Sequence, residues 1–202
     1  DREYQLTAPG YVRLILDVIS ALELERPIVM GCSIGGRIVL HLAHQHPDRF
    51  RALIGLESAP YAEAYYDLSW LNRPDVHGGM VCAGVISGLI APTVTGTERW
   101  ETLWHYMQSV PVVFKGDLYF YTTPDGDIRD KLDQIDVKRC PLFLLTGEYD
   151  YSCTAEAALD IANRTGAPAT IMKGLGHFPM IEDSEKFVSY LLPVLAKIRA
   201  LE

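Results

Sequence analysis

The feature that most constrains this fold is a glycine-flanked serine between an apolar strand and a helix. Residues 27–30 form a short apolar run, which predicts a buried strand. Gly31-Cys32-Ser33-Ile34-Gly35-Gly36 follows as a tight turn, and residues 37–46 have the pattern of a helix that ends at Pro47. A serine on such a turn exposes its hydroxyl at the carboxyl end of a sheet, while the glycines avoid collisions with the adjoining strand and helix. The positive end of the helix dipole favours a developing oxyanion there.

Short apolar runs recur along the chain and alternate with helical patterns. Residues 52–56 are continuously apolar, as in a parallel strand that is covered on both faces, and residues 141–146 and 169–172 are further predicted strands. Helical spacing appears at 9–24 and 154–164. A last helix has one apolar face, formed by Phe187, Tyr190, Leu191, Val194, Leu195 and Ile198. This alternation predicts an α/β fold with a mostly parallel sheet and flanking helices.

The alternating pattern is interrupted between residues 57 and 125. This stretch holds 11 of the chain's 20 aromatic residues, together with several prolines and only weak helical patches. We therefore predict a core in two parts, residues 1–56 and 126–200, with a mainly helical insertion at 57–125. Residues 201–202 (Leu-Glu) look like the remnant of a purification tag and are excluded from fold reasoning.

The charge of the chain excludes several classes of partner. The sequence has 18 Lys and Arg against 26 Asp and Glu, a net charge of −8, which repels phosphate backbones and anionic membrane surfaces. We expect no nucleic-acid partner and no membrane association, since no run approaches the ~18 apolar residues of a membrane span. The four cysteines form no C-x-x-C motif, and we expect reduced thiols in a cytoplasmic protein.

A serine hydroxyl is a weak nucleophile and needs an oriented base, usually a histidine. His177 lies in the loop Gly174-Leu175-Gly176-His177-Phe178-Pro179, after one strand and before the last helix. That loop leaves the sheet at its carboxyl edge, where Ser33 is also expected. The backbone N–H of Ile34 is the expected oxyanion donor.

Two acidic residues compete to orient His177. Asp150 follows the strand at 141–146 and is the leading candidate, although acidic side chains are also common in turns. Glu57 comes directly after the strand at 52–56, the next strand along the chain from Ser33, and is the alternative acid. The sequence leaves this choice open.

Other motifs predict neither a metal site nor a cofactor. Of His41, His44 and His46, only the first two share a helix face, and no acidic residue or cysteine nearby completes a tetrahedral set. There is no G-x-G-x-x-G motif and no phosphate-binding glycine loop, so we expect no nucleotide cofactor. Cys32 is expected to point inward as a small hydrophobic residue.

The order Ser33, Asp150, His177 resembles the α/β-hydrolase family, and the resemblance runs from about residue 9 to residue 199. It rests on the serine elbow, a Gly-x-x-Asp after a strand and a Gly-His-Phe-Pro before the closing helix. In that family the stretch 57–125 stands where a cap is usually carried. The resemblance implies a catalytic triad, but esterases, C–C bond hydrolases, lactonases and cofactor-free haloperoxidases all share the pattern.

The resemblance makes a serine hydrolase the leading function, acting through an acyl-enzyme on Ser33 on a carboxylic ester or related acyl compound. The aromatic residues of 57–125 form either the core of the insertion or an apolar pocket over Ser33. The pocket interpretation predicts a small-molecule substrate with a bulky apolar group, contacted by Trp70, Trp104, Tyr106 and Phe178. The alternatives are a C–C bond hydrolase with the same triad and a weakly catalytic or non-catalytic binding module.

The sequence departs from the family pattern before residue 9. In that family several strands, and a loop with the second oxyanion donor, precede the helix that here begins near Pro9. Without them the strand at 27–31 would have an open hydrogen-bonding edge. We therefore expect a fragment of a longer or two-chain protein, or a shortened and impaired variant. The expected partners are a missing N-terminal segment, a second chain or a homo-oligomer.

Overall fold

The centre of the molecule is a parallel sheet of four strands, in a computed structural model that describes residues 4–62, 73 and 75–201. The strands lie in the order of the sequence: β1 (Ile28–Cys32), β2 (Ala52–Leu56), β3 (Leu142–Gly147) and β4 (Ala169–Met172). All neighbouring strands are parallel, with Cys32 beside Leu56 and Leu56 beside Leu145. The carboxyl ends of the strands therefore meet at one edge. The predicted α/β fold with a parallel sheet is confirmed.

Eight α-helices connect and flank the strands within the described residues. They are α1 (Ala8–Ala21), α2 (Ile34–Gln45), α3 (Gly78–Ser87), α4 (Thr97–Met107), α5 (Pro111–Leu118), α6 (Ala155–Thr165), α7 (Pro179–Glu182) and α8 (Ser184–Arg199). Short 3₁₀ turns complete the connection between α5 and β3. Of the helices that the structure describes, none is long and apolar enough to span a membrane.

Helices cover both faces of the sheet. On one face, the apolar sides of α1, α2 and α6 pack against Leu53, Leu142 and Leu144. On the other face, α8 packs through Phe187, Val194 and Ile198 against the alternate side chains of the strands. As a result β2 and β3 are buried along their whole length. This cover explains why their sequences are continuously apolar rather than alternating.

The insertion after β2 builds its own apolar cluster from α3, α4 and α5. Its buried members include Ile86, Ile90 and Val94, with Tyr106 and Phe114 packed against them. Phe178 from the loop that carries His177 belongs to the same cluster. The insertion is therefore packed directly onto that loop.

Two helix ends differ from the sequence-based expectation. Helix α2 begins at Ile34 rather than at residue 37, so the turn glycines Gly35 and Gly36 are themselves helical. Helix α1 ends at Ala21 rather than at residue 24. Glu23 and Arg26 take left-handed φ values of 52° and 42°, which a right-handed helix does not contain.

The outer edge of β1 has no strand beside it among the described residues. Ile28 and Met30 at this edge remain 41% and 45% exposed, because α8 packs over the strands further across the sheet. Leu14 and Val18 of α1 are exposed as well. An uncovered strand edge with apolar neighbours is a ready template for pairing with another chain.

Helix α2 also buries a histidine whose ring nitrogens have no hydrogen-bond partner among the described residues. His41 is 1% exposed and packs edge-on to Phe120. Burial, with smaller contributions from Lys131 and Arg37, lowers the pKa of His41 from 6.5 to about 4. The folded chain therefore holds this side chain neutral at pH values where the unfolded chain protonates it.

We predict that this histidine makes the fold sensitive to acid. The contribution of neutral, buried His41 to the free energy of unfolding is complete above pH 6.5 and decreases as the pH falls towards 4. The decrease is about 2 kcal/mol between pH 7 and pH 5. In urea unfolding, the free energy of unfolding of His41→Leu should decrease less between pH 7 and pH 5 than that of the unmodified chain. His105→Gln, at an exposed position of α4, should show the full decrease. Equal acid sensitivity of His41→Leu and the unmodified chain would contradict this account.

Candidate active site

Ser33 lies on a tight turn between β1 and α2. Its φ of 60° is in the left-handed region, which places the residue directly at the amino end of the helix. A Cβ on Gly31 would lie 2.3 Å from the carbonyl oxygen of Gly35, and one on Gly36 would lie 2.4 Å from that of Leu56. Glycine is therefore required at these two positions. The expectation that Gly35 also avoids a collision is wrong, since a Cβ there would meet open space.

The structure brings the serine, the histidine and one acid into a single hydrogen-bonded chain. Ser33 Oγ lies 2.9 Å from His177 Nε2, and His177 Nδ1 lies 2.7 Å from Asp150 Oδ2. The Asp150 carboxylate accepts from Nδ1, so Nε2 is free to accept the serine proton. His177 and Asp150 are 4% and 3% exposed. This is the geometry of a nucleophile, a base and an orienting acid.

The Asp150 carboxylate is held in its charged form by several donors. Its second oxygen, Oδ1, accepts the backbone N–H groups of Ser152 and Cys153 at 2.8 Å and 3.0 Å. Burial raises the pKa of Asp150, but the hydrogen bond and ion pair with His177 outweigh burial, and the pKa is lowered overall. Asp150 therefore stays ionised beside the imidazole.

The Glu57 carboxyl group does not contact His177, the contact that an orienting acid requires. It is fully buried at the end of β2, and both carboxyl oxygens face the backbone N–H of Gly147, at 3.0 Å and 2.9 Å. Its other polar contact is with Asp150 rather than with His177. Burial first, and the Asp150 charge second, raise the pKa of Glu57 well above its ordinary value.

A further acid, Glu182, holds the histidine loop, and sequence reasoning missed it. Its carboxylate accepts the N–H groups of Gly176 at 2.5 Å and Phe178 at 3.1 Å, on either side of His177. Burial raises the pKa of Glu182, against the effect of these hydrogen bonds. The side chain bonds to backbone amides only, so the sequence offers no motif that would reveal it.

The histidine loop is also joined to the insertion. His177 N–H donates to the carbonyl of Leu89 at 3.0 Å, and the Thr93 hydroxyl donates to the carbonyl of Gly174 at 2.8 Å. A side chain at Gly176 would collide with this segment of the insertion, since its Cβ would lie 2.6 Å from Ala91 N. The position of the base therefore depends on the packing of the insertion.

Ile34 is the first residue of α2, so its N–H belongs to the helix amides that have no intrahelical acceptor. It lines the same cavity as Ser33 and His177.

Cys32 beside the serine packs against the core on the α8 side of the sheet, and burial raises the pKa of its thiol. A thiolate nucleophile at Cys32 is therefore unfavourable.

A cavity of about 650 Å³ opens above Ser33. Its walls come from α3 (Val85, Ile86), from α5 (Phe114, Leu118), and from Tyr4, Leu6, Tyr11 and Met30. Of the four predicted pocket residues, Tyr106 lines the cavity, and Phe178 is buried behind it with ring centroids 5.6 Å apart. Trp104 is 57% exposed and does not line it. Trp70 lies outside the described residues.

Among the described residues, one group of possible metal ligands combines two members of the triad with Cys153. Single ligand atoms of Asp150, Cys153 and His177 lie within 4.8 Å of one another. A metal there would have to break the hydrogen bond between Asp150 and His177. It would also need a Cys153 thiolate, although burial raises the pKa of that thiol well above its ordinary value. The group is better suited to proton transfer than to metal binding.

A family model described as the alpha/beta hydrolase fold matches residues 4–75. This segment includes β1, the serine turn and α2, the elements that place Ser33. The chain has the α/β-hydrolase fold. The resemblance to the α/β-hydrolase family is therefore confirmed at the level of the fold.

Solved structures extend this α/β-hydrolase match over nearly the whole chain. A hydrolase from Pseudomonas aeruginosa PA01 superposes with a TM-score of 0.83 at 19% identity, covering 96% of this chain and 74% of that protein. A thermophilic esterase from Thermogutta terrifontis gives 0.84 at 17% identity, with 98% and 75% covered. MenH from S. aureus gives 0.79 at 18% identity, with 98% and 79% covered. No curated protein gives a significant match.

Proposed function

We propose that this α/β-hydrolase is a serine hydrolase that cleaves carboxylic esters or related acyl compounds carrying a bulky apolar group. The observation that carries the proposal is the Ser33–His177–Asp150 chain of hydrogen bonds at the floor of a cavity whose lining residues are mostly apolar or aromatic. Structural neighbours include proteins described as an esterase and an enol-lactonase. They support acyl chemistry for this fold. The bulky apolar group of the proposed substrate is inferred from the apolar and aromatic residues that line the cavity.

In the proposed mechanism, His177 Nε2 removes the Ser33 proton as Oγ attacks the substrate carbonyl carbon. The Ile34 N–H and the dipole of α2 stabilise the oxyanion that forms. Protonated His177 then gives its proton to the leaving alcohol, which leaves an acyl group on Ser33. A water molecule, deprotonated by the same imidazole, releases the acid and restores Ser33. Asp150 stabilises the imidazolium throughout.

Esters of graded acyl size test this proposal. We expect turnover of p-nitrophenyl esters with bulky apolar acyl groups, and a loss of at least about 10³-fold in Ser33→Ala. Ser189→Ala on the exposed side of α8 is the matched control and should keep full activity. Binding of these esters without turnover would favour the non-catalytic binding module instead. Cleavage of C–C bonds in preference to esters would favour the C–C hydrolase.

The cavity wall also predicts a charge preference. Asp117 is the only acidic residue among the described residues that line the cavity, and no lysine or arginine is among those lining residues. It accepts from the Tyr4 hydroxyl at 2.8 Å. An ester with a terminal carboxylate should therefore react about tenfold more slowly than its neutral isostere.

Removing that charge should reduce the difference between the two esters. Asp117→Asn is expected to raise kcat/KM for the carboxylate ester, because the repulsion in the cavity is lost. Asp125→Asn changes the same charge at an exposed site outside the cavity and should leave the ratio unchanged. A ratio that is identical in Asp117→Asn and the unmodified protein would contradict the predicted charge preference.

We also propose that the free edge of β1 pairs with a further strand, from this or another polypeptide. Exposed Ile28 and Met30 support this proposal. Residues 1–202 should associate increasingly with concentration, and Met30→Lys should reduce that association because a charged edge disfavours pairing. Light scattering after gel filtration measures it, with Leu159→Lys on α6 as an exposed apolar control. A concentration-independent monomer would contradict the proposal.

A further inference from the structure

Two buried acidic groups lie in contact beneath the serine–histidine pair. Glu57 and Asp150 are 0% and 3% exposed, and their carboxyl groups lie close enough to interact directly. Two carboxylates offer acceptors only, so in this buried position they repel each other unless one of them carries a proton. One of the two acids is therefore neutral. The identity of the neutral acid determines whether His177 Nδ1 contacts a charged or an uncharged carboxyl group.

The surrounding donors place the charge on Asp150. Its carboxylate accepts from His177 Nδ1 and from the backbone N–H groups of Ser152 and Cys153. Glu57 accepts from one backbone group only, the N–H of Gly147. Each N–H donor favours the ionised form of the acid that it contacts. The proton of the pair therefore belongs on Glu57.

The other groups around Glu57 also favour its neutral form. The thiols of Cys32 on β1 and of the buried Cys153 in the loop after β3 interact with Glu57, and Glu182 adds a second acidic neighbour. No cationic side chain forms a hydrogen bond with Glu57 among the residues that the structure describes. A second carboxylate in this environment would be buried without compensation.

The backbone at Glu57 is itself unusual. Its φ of 46° lies in the left-handed region, as does that of Ser33 at the end of the neighbouring strand. Such a conformation is unfavourable for a residue with a side chain and persists where the surroundings hold it in place. Here the hydrogen bond from the Gly147 N–H to the Glu57 carboxyl group provides that hold.

We propose that Glu57 is a positioning residue that stays a neutral carboxylic acid and donates its O–H to the Asp150 carboxylate. The inference rests on the proposed hydrolase function, and it extends the Ser33–His177–Asp150 chain by one member. The neutral Glu57 orients the Asp150 carboxylate towards His177 Nδ1, and its O–H group stabilises part of the negative charge of Asp150. It also keeps a second negative charge away from the imidazole.

Infrared spectroscopy tests the protonation state without requiring turnover. The difference spectrum between the unmodified protein and Glu57→Gln at neutral pH should contain the carbonyl stretch of a protonated carboxylic acid. Glu148→Gln removes a surface carboxylate that is paired with Lys173, so its difference spectrum should contain carboxylate bands only. Carboxylate bands alone in the Glu57→Gln difference would overturn the proposal. Inactivity of the protein towards esters would overturn the hydrolase function and leave this readout intact.

The pH dependence of kcat/KM tests the positioning role. Gln keeps one donor for Asp150 and one acceptor for Gly147, so Glu57→Gln should leave the midpoint of the acid limb nearly unchanged. Glu57→Met removes the donor and leaves more of the Asp150 charge for the imidazolium. Its midpoint should therefore move upward by on the order of one pH unit, with a lower rate.

Two results of this second measurement would overturn the proposal. A downward shift in Glu57→Gln would mean that the substitution removed a negative charge, so that Glu57 is ionised in the unmodified protein. An unchanged midpoint in a folded Glu57→Met would mean that the side chain only fills space. If Glu57→Met does not fold, the Gln profile and the infrared spectrum decide between a neutral and an ionised Glu57.

Discussion

Asp150→Asn is expected to lower kcat/KM for esters by up to ~10⁴-fold, about 5 kcal/mol in the activation free energy. In the native protein, His177 Nδ1 donates to Asp150 Oδ2 across 2.7 Å, which leaves Nε2 free to accept the Ser33 proton. An asparagine amide can donate to Nδ1 and so favour the tautomer with its proton on Nε2. That tautomer cannot act as the base.

The matched control for this substitution is Glu57→Gln, which makes the same chemical change at the neighbouring acid. Glutamine can still contact both Gly147 and Asp150, so its effect on kcat/KM should be far smaller than that of Asp150→Asn. Steady-state kinetics with one ester compares the two variants. If Glu57→Gln costs as much as Asp150→Asn, the assignment of Asp150 as the orienting acid is contradicted.

Gly31→Ala is expected to destabilise the fold by at least about 2 kcal/mol. The new Cβ would lie 2.3 Å from the carbonyl oxygen of Gly35, a backbone atom that cannot move without distorting the turn at Ser33. Thermal unfolding should show a decrease in Tm of several degrees, roughly 2–4 °C for each kcal/mol in a chain of this size.

Gly35→Ala provides the contrast, two residues beyond the serine. A Cβ at this helical position meets nothing within 4 Å, and alanine is the better helix former by about 1 kcal/mol. Its Tm should therefore be equal to or higher than that of the unmodified chain. Equal losses of stability in Gly31→Ala and Gly35→Ala would contradict the steric account of the turn.

Much of the fold could be predicted because the strands are short, apolar and separated by clear helical periods. The runs at 52–56 and 169–172 are strands with the predicted bounds, and the signal is strongest for 52–56, which is buried along its whole length. The insertion left a weaker signal because no sheet determines which side of its helices is buried. Trp104 and Tyr106 are both aromatic and lie two positions apart on α4, yet only Tyr106 faces the cavity.

The sequence predicted those site residues that follow strands. Each of Ser33, Asp150 and His177 follows a strand, and parallel strands bring those ends together. The choice between Asp150 and Glu57 depends on side-chain directions at adjacent strands, which spacing does not encode. Glu182 acts through backbone amides of the histidine loop, a contact that only the folded loop creates.

The most direct test of the central claim is labelling of the folded chain with a fluorophosphonate, followed by intact mass measurement. The reagent reacts with a serine that an adjacent base activates, which is the state that the Ser33–His177 contact of 2.9 Å implies. We predict a single adduct on the unmodified protein and none on Ser33→Ala. A folded protein that gains no adduct, or one that is labelled equally after Ser33→Ala, would contradict the assignment of Ser33 as the nucleophile.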